Sequence, residues 1–259
     1  MKIIWITDLH LPEPEEELWG LDAYRRFESA LEDIEAAHGD ADFCVISGDL
    51  ADKGSEAAYD WLSNRLSRFA LDTVLMIGNH DARESMRKAL PGLMDDGTGF
   101  VQGVRDTASG RCLFLDTFKG DTSAGQYCVD RQAWLKARLD EGRDRPTYLF
   151  MHHPPFDVGI DYMDRIKLEE HEAFARILDG HNIKHLFFGH VHRACQVVWQ
   201  GIPCASLPGT NHQVPLSRAR LGTSYSAEPP MYGVILIEEG RTIVHMDAWM
   251  DRRPAKMEW

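Results

Sequence analysis

Carboxylate, amide and imidazole side chains follow five short apolar segments of this sequence, and these residue types could bind metal ions. The groups are Asp8-Leu-His10, Gly48-Asp49, Gly78-Asn79-His80-Asp81, His152-His153 and Gly189-His190-Val-His192. Oxygen and imidazole donors without cysteine favour a divalent metal of intermediate to hard character. Three carboxylate or amide side chains and at least four imidazoles are more than one ion needs. We therefore expect two metal ions bridged by one carboxylate, a pair that stabilises the attacking and leaving oxygens of a phosphoryl displacement.

Each of these groups also has a purely structural explanation. A histidine at the end of a strand is often only a polar cap, and Asp-x-His or His-x-His arises by chance. Gly48 and Gly78 could be turn residues. The recurrence after five apolar segments favours a metal site over five unrelated structural roles.

Short apolar segments precede these groups and predict the elements that position them. They are IIWIT (3–7), FCVIS (43–47), TVLMI (73–77), YLFM (148–151) and HLFFG (185–189), with a sixth, CLFLD (112–116), that adds only Asp116. Near-continuous apolar segments are typical of strands covered on both faces. Helical spacing between them, as in Phe27, Leu31 and Ile34, makes the predicted class α/β. In such sheets, ligands bind beyond the carboxyl ends of the strands.

The composition is that of an acidic globular protein. The chain has 259 residues, 44% of them hydrophobic and 27% charged, and a formal net charge of −13. We expect a single domain over residues 1–259, with residues 208–230 as a long loop or lid excursion. The negative charge disfavours a long nucleic acid as partner, whereas a metal could supply local positive charge for a small phosphate ester.

The cysteines and the N-terminal segment predict the compartment. The five cysteines are widely spaced, which suits free thiols in a reducing environment. The first apolar segment is interrupted by Asp8, so it fits a strand better than a signal peptide. No segment approaches the ~18 apolar residues of a membrane span. We expect a cytoplasmic protein without a membrane partner. The sequence allows either a monomer or a homo-oligomer.

The five groups, in order and spacing over residues 1–212, resemble the five motifs of the calcineurin-like metallophosphoesterases. The segments GDLADKG, GNHDAR and HHPP most resemble the bacterial branch of class III cyclic-nucleotide phosphodiesterases and glycerophosphodiesterases. GTNHQ (209–213) resembles the loop that follows the last metal ligands in that branch. The resemblance implies a four-layer α/β/β/α sandwich that hydrolyses a small phosphodiester with a metal-bound hydroxide. Manganese or iron is the expected metal, and zinc and cobalt are alternatives.

The resemblance also implies a role for each site residue. Asp8, His10 and His192 would hold the first metal, Asn79, His152 and His190 the second, and Asp49 would bridge them. His80 would lie outside the metal shell and donate a hydrogen bond or proton to the departing alkoxide. The residues expected to contact substrate are Asn79, His80 and His212. His153, Asp52 and Asp81 could orient ligands from behind, and for the two aspartates helix capping is the alternative.

Three functions compete at this point. The first is hydrolysis of a small diester, such as a cyclic nucleotide or a glycerophosphodiester. The second is hydrolysis of a small phosphomonoester or pyrophosphate with the same metals. The third is a non-catalytic scaffold that has lost the site, as in the metallophosphoesterase-like subunit of retromer. The presence of all seven ligands weighs against the scaffold.

The basic residues favour the diester over the monoester. Lys53 stands where the protein-phosphatase form of Gly-Asp-x-x-Asp-x-Gly has an arginine, which removes a bidentate phosphate clamp. The five motifs themselves contain no arginine that could neutralise a second phosphate charge. In 208–230, His212, Arg218 and Arg220 predict part of a substrate wall or lid, and a loop that only links two strands is the alternative.

Overall fold

The computed structural model describes residues 1–120, 122–216 and 225–250. The strands in these ranges are β1 (Lys2–Ile6), β2 (Phe43–Ile46), β3 (Thr73–Leu75), β4 (Gly103–Thr107), β5 (Gly110–Leu115), β6 (Thr147–Met151), β7 (Ile183–Phe188), β8 (Cys195–Trp199), β9 (Ile202–Ser206), β10 (Tyr232–Glu238) and β11 (Arg241–Asp247). They form two sheets, with the orders β11-β10-β1-β2-β3 and β4-β5-β6-β7-β9-β8.

Helices cover the outer face of each sheet. They are α1 (Ala23–His38), α2 (Glu56–Leu66), α3 (Arg83–Ala89), α4 (Val129–Glu141), α5 (Asp161–Arg165) and α6 (His171–Leu178). Helices α1 to α3 share a core with the first sheet, and α4 to α6 share one with the second. A third core, which includes Trp5, Phe150 and Phe187, joins the inner faces of the two sheets. The predicted four-layer α/β/β/α sandwich is therefore confirmed.

Burial on both faces explains the near-continuous apolar character of the central strands. In β1, Ile4 and Ile6 pack in the core shared with α1 to α3. The alternate residues Ile3 and Trp5 point the other way, into the core between the sheets. A strand covered on both sides has no polar face, so alternation is absent from its sequence.

The central strands of each sheet are parallel, and this places their carboxyl ends together. In the first sheet β1, β2 and β3 are parallel, and in the second β5, β6, β7 and β9 are parallel. The outer strands β4, β8, β10 and β11 pair antiparallel with their neighbours. The six predicted apolar segments correspond to β1, β2, β3, β5, β6 and β7, and the outer strands and β9 were not predicted.

Side-chain caps begin the two longer helices that cover the first sheet. The carboxylate of Asp22 accepts a hydrogen bond from the backbone N–H of Arg25 at the start of α1. Ser55 does the same for Ala58 at the start of α2. Such caps satisfy donors that a helix terminus leaves without partners. The predicted apolar face of Phe27, Leu31 and Ile34 is buried on α1.

Three further expectations concern the surface and the C-terminal part. No helix of the described ranges is long and apolar enough to span a membrane. The described parts of the 208–230 excursion contain no helix or strand and are joined by one β-bridge between Gln213 and Ser226. His185 on β7 is buried, with 8% of the residue exposed, and its ring stacks on that of Phe187. The single-domain organisation stays a prediction.

Candidate metal centre

The predicted ligands meet at the edge where the carboxyl ends of the parallel strands of both sheets lie together. The first sheet supplies Asp8 and His10 after β1, Asp49 after β2 and Asn79 after β3. The second supplies His152 after β6 and His190 and His192 after β7. His10 and Asp49 from the first sheet lie 3.0 and 3.3 Å from His192 and His152 of the second, so one site draws on both sheets.

One group of donors surrounds the position expected for the first metal. The Nε2 atoms of His10 and His192 are 3.0 Å apart. Asp8 Oδ1 lies 3.3 Å from His192 Nε2, and Asp49 Oδ2 lies 3.3 Å from His10 Nε2. One donor atom from each of these four buried residues lies within 4.8 Å of the others, a spacing that suits the shell of a single ion.

A second group of donors lies on the other side of Asp49. His152 Nε2 is 3.3 Å from Asp49 Oδ2, the same oxygen that faces His10. The Nε2 atoms of His152 and His190 and the Oδ1 atom of Asn79 are buried without hydrogen-bond partners. Buried polar atoms without partners are costly, and a cation would satisfy all three. Asp49 therefore stands between two clusters that each fit a divalent ion.

Hydrogen bonds behind the imidazoles set which nitrogen faces the cluster. The Nδ1 atom of His152 lies 2.9 Å from the carbonyl oxygen of Ser47, and that of His192 lies 2.8 Å from the carbonyl oxygen of His212. A carbonyl only accepts, so each Nδ1 carries a proton and Nε2 is the nitrogen that would face a metal. His10 Nδ1 lies 3.3 Å from the carboxylate of Asp52.

The two supporting aspartates act differently from each other. Asp52 orients an imidazole, as one of its two predicted roles requires, and Ser55 caps α2 in its place. Asp81 neither orients an imidazole nor caps α3 through its side chain. Its carboxylate accepts hydrogen bonds from the backbone N–H groups of residues 50, 51 and 78 and from the hydroxyl of Tyr59. Asp81 thus holds the loops after β2 and β3 together.

The backbone at the ligands adopts a conformation that L-residues avoid. In the described part of the chain, eight non-glycine residues have positive φ, and five of them are the predicted ligands Asp8, His10, Asp49, His190 and His192. Their φ angles lie between 46° and 69°. This left-handed region is uncommon for non-glycine residues, although asparagine, aspartate and histidine adopt it more readily than others, and residues held there cluster at functional sites.

Two glycines allow the loops of the site to approach one another closely. A Cβ atom on Gly78 would lie 2.3 Å from Asp49 Oδ1, and one on Gly48 would lie 2.6 Å from His152 Nδ1. Gly48 also has a φ of 101°, which a side chain would oppose. These glycines are therefore more than turn residues, because any side chain there would displace a predicted ligand.

The charges at the centre are strongly coupled. Burial raises the pKa of Asp49, but the imidazoles of His152, His80 and His10 outweigh burial and hold that pKa well below its usual value. Burial lowers the pKa of His152, yet Asp49 overrides it and raises this pKa to about 9. For His190, burial and the charge of His152 lower the pKa to about 3. The imidazole of His190 is therefore neutral and presents a lone pair.

His80 lies at the accessible side of the cluster. Its side chain is 38% exposed, and its ring centroid is 4.5 Å from that of His10. The Nδ1 atom lies 2.8 Å from the carbonyl oxygen of Asp52, and the backbone N–H donates to Asp49 Oδ1. This arrangement leaves Nε2 as the nitrogen that can meet a substrate.

His212 lies against the first group of donors. Its ring stacks on His192 with a centroid distance of 4.4 Å and lies 4.8 Å from the ring of His10. The structure thus brings His212 to the site, while its expected contact with substrate stays a prediction. Arg218 and Arg220 lie outside the described residues.

His153 is the less suitable histidine of its pair. Its Nδ1 atom is 2.7 Å from the hydroxyl of Thr117, and its ring lies beside that of His190. The Nε2 atom of His153 is also buried without a hydrogen-bond partner, but the 3.3 Å approach of His152 Nε2 to Asp49 favours His152 as the ligand. Sequence reasoning missed Thr117 and the carbonyl of Ser47. The only available signal was their position at the ends of apolar segments, because neither residue type indicates a metal site.

The chain matches the family model of calcineurin-like phosphoesterases over residues 1–194. It belongs to that family. As a calcineurin-like phosphoesterase, it is 38% identical over 255 residues to a probable cyclic nucleotide phosphodiesterase of Rhodopseudomonas palustris, with 96% of this chain and 93% of that protein covered. It is 29% identical to a glycerophosphodiester phosphodiesterase of Enterobacter lignolyticus, over 89% of this chain and 84% of the relative. The expected membership of this family is confirmed.

A solved structure supports the fold of this family member. The purple acid phosphatase of yellow lupin (Lupinus luteus) superposes with a TM-score of 0.69 at 13% sequence identity. The superposition covers 96% of this chain and 52% of the lupin chain, so this chain spans about half the length of that enzyme. At this identity the likeness concerns the arrangement of sheets and helices alone.

Proposed function

We propose that this calcineurin-like phosphoesterase hydrolyses a small phosphodiester, either a cyclic nucleotide or a glycerophosphodiester, at a centre of two divalent metals. The observation that carries the proposal is the position of Asp49, whose Oδ2 atom lies 3.3 Å from the Nε2 atoms of both His10 and His152. Two relatives that cover most of this chain bear the names of these two activities.

Seven residues would hold the metals. Asp8, His10 and His192 would bind the first ion, Asn79, His152 and His190 would bind the second, and Asp49 would be shared between them. Two divalent cations, when bound, supply a nucleophilic water and positive charge for the phosphoryl oxygens. Asn79 contributes a neutral oxygen whose buried Oδ1 atom has no other partner, so the second ion keeps more of its positive charge.

His80 is the group best placed to assist the leaving oxygen. The carbonyl of Asp52 accepts the Nδ1 proton and fixes the ring, while the side chain stays open to solvent. An imidazole protonated on Nε2 can then donate to the departing alkoxide. Asn79, in the second group of donors, and His212, whose ring stacks on His192, would contact the phosphate.

The arginines next to the motifs support a diester over a monoester. Arg83, which follows the GNHD motif, donates to both carboxylate oxygens of the buried Asp116. Arg193, which follows the GHVH motif, pairs with Glu228 and the carbonyl of Val214. Both guanidinium groups are thus engaged within the protein, and neither serves as a clamp for a second phosphate charge.

The donor set also bears on the metals and on the compartment. Mixed oxygen and imidazole donors suit manganese or iron, with zinc and cobalt as alternatives. Atomic absorption after reconstitution with each ion, together with the activity of each form, identifies the metals. A cytoplasmic location is supported by the five free cysteines, three of them buried. Neither argument depends on whether the chain forms a homo-oligomer.

One assay tests the reaction class. Metal-replete protein is given bis(p-nitrophenyl) phosphate and, separately, p-nitrophenyl phosphate, with chelated protein as the control. We expect the diester to have the higher kcat/KM. Preference for the monoester would replace the proposal by a phosphomonoesterase, and no turnover of either compound, with two metals bound, would favour a scaffold.

A further inference from the structure

An exposed tryptophan stands at a tight turn beside the metal centre. Trp19 is 59% exposed. The flanking residues Leu18 and Leu21 exchange two backbone hydrogen bonds, of 3.0 and 3.1 Å. Trp19 and Gly20, between them, have φ angles of 60° and 72°. Two successive positive φ angles favour Asn-Gly or Gly-Gly, and a bulky side chain there is an outlier.

A continuous series of rings links this tryptophan to the predicted ligands. His212 stacks on His192 with centroids 4.4 Å apart, and the ring of Tyr225 meets His212 edge-on at 4.5 Å. Trp19 packs on Tyr225 at 4.6 Å with 30° between the planes. Trp19 is also 6.4 Å from the ring of His212 itself. The indole is therefore only one ring away from a residue that touches the metal centre.

Folding stability alone does not explain the indole at this position. An exposed side chain gains little from burial, and asparagine or glycine would fit the backbone better. Burial raises the pKa of the Tyr225 hydroxyl, and the charges of Tyr162, Asp52 and Asp49 add to the effect. Tyr225 therefore lies near enough to the site for Asp52 and Asp49 to act on its hydroxyl, and the residue is 37% exposed.

We propose that Trp19 and Tyr225 form a stacking platform for the planar base of a nucleoside phosphodiester whose phosphate lies at the metals. The inference rests on the proposed function and narrows its substrate to the nucleotide class. A purine or pyrimidine presents a π face that can stack on an indole, whereas a glycerol alcohol has none. Because stacking tolerates any base, the platform accepts cyclic AMP and cyclic GMP alike.

The test compares substrates and not only variants. The variants are Trp19→Ala, Trp19→Phe, which keeps a ring, and Val198→Ala, which alters another exposed apolar residue, 76% exposed, on β8. We expect Trp19→Ala to lower kcat/KM for 3′,5′-cyclic AMP relative to kcat/KM for glycerophosphoethanolamine by about 5- to 150-fold. Trp19→Phe restores most of the ratio, and Val198→Ala leaves it unchanged. The ratio cancels differences in metal content.

Equilibrium binding gives a readout that does not need turnover. Calorimetry with 5′-AMP and ribose 5-phosphate on metal-loaded protein should show that Trp19→Ala weakens only the nucleotide. Trp19→Gly should lose the same selectivity without a lower Tm, because glycine relieves the backbone at this turn.

The platform is contradicted if Trp19→Ala lowers kcat/KM equally for cyclic AMP and glycerophosphoethanolamine and weakens 5′-AMP and ribose 5-phosphate equally. It is also contradicted if the variant changes none of these values. Failure of the proposed function looks different. In that case neither diester is hydrolysed, while Trp19→Ala still weakens 5′-AMP and not ribose 5-phosphate.

Discussion

The Nε2 atoms of His10 and His192 face each other at 3.0 Å, and each also lies 3.3 Å from a carboxylate oxygen, of Asp49 and of Asp8 respectively. When both imidazoles are neutral, Asp52 and the carbonyl of His212 accept from the two Nδ1 atoms, and both Nε2 atoms carry lone pairs. Two lone pairs at this distance repel unless a proton or a metal ion lies between them. Ligand nitrogens about 2.1 Å from one ion and about a right angle apart would have this separation.

Asp49→Asn should abolish turnover and lower the metal content. The amide has less negative charge and only one oxygen, so it cannot bridge two cations as a carboxylate does. Elemental analysis of purified protein and diester turnover measure the two effects, with the exposed Asp60→Asn as the control. Two metals per chain together with normal turnover in the variant would contradict the bridging role.

His80→Ala should keep both metals and slow the chemical step, by about 10²–10⁴-fold if His80 is the general acid. The loss should be smaller for bis(p-nitrophenyl) phosphate than for an alkyl diester, because p-nitrophenolate leaves without protonation. Single-turnover rates with the two substrates provide the measurement. Loss of a metal ion from the variant would make His80 a ligand instead.

His212→Ala should raise KM or lower kcat for a natural-sized diester and leave the metals in place. Its ring lies beside the rings of His10 and His192, where a bound phosphate would meet it. Steady-state kinetics and elemental analysis separate the two effects. If His212, Arg218 and Arg220 are replaced together and every diester is turned over as before, the 208–230 excursion only connects strands.

Asp81→Ala should destabilise the protein by at least about 3 kcal/mol. It removes the acceptor for three buried backbone N–H groups and for the hydroxyl of Tyr59, and each orphaned donor costs about 1–3 kcal/mol. Urea unfolding measures the free energy. Asp81→Asn keeps one acceptor oxygen, so its free energy of unfolding should decrease less than that of Asp81→Ala. An equal decrease in both variants would contradict the role of these hydrogen bonds.

His185→Leu should make stability less sensitive to acid. Burial lowers the pKa of His185 to about 4, below the ~6.5 of an unfolded chain. The unfolded state therefore takes up a proton as the pH falls from 6.5 to 4, and the folded state does not. The stability that depends on a neutral His185 is complete above pH 6.5 and decreases over this range.

At pH 5 the low pKa of His185 has decreased the free energy of unfolding of the parent protein by about 2 kcal/mol. The variant should gain this amount relative to the parent between pH 7.5 and pH 5, as measured by urea unfolding at the two pH values. A constant difference between the two proteins would show that His185 ionises normally.

The sequence predicted the layers and the ligand positions because both depend on local patterns. An apolar segment followed by a donor, as in residues 43–49, identifies a buried strand and the rim where it ends. The left-handed backbone of Asp8 or His190 could not be predicted, because neither residue type requires positive φ. The role of Asp81 was also hidden, because its partners are backbone groups that any sequence carries.

The outer strands were missed for a different reason. Strand β8 alternates exposed and partly buried residues, such as Gln196 and Val197, over only five positions, which is too short a signal to stand out. Trp19 was missed because it lies in a short turn after a run of acidic residues, outside every motif that indicated chemistry. Only its approach to Tyr225, more than two hundred positions away, gives the indole a function to test.

The joining of two sheets at one centre has a consequence for folding. His10 and His192 are 182 residues apart in sequence, so their mutual arrangement exists only once both halves of the chain have folded. Metal ions would therefore bind the native state and hardly the unfolded one. By mass action, a free metal concentration one hundred times Kd adds about 2.7 kcal/mol to the free energy of unfolding per site. The same ions would act as a crosslink between the sheets, and a chelator should lower Tm more than it lowers helix or strand content.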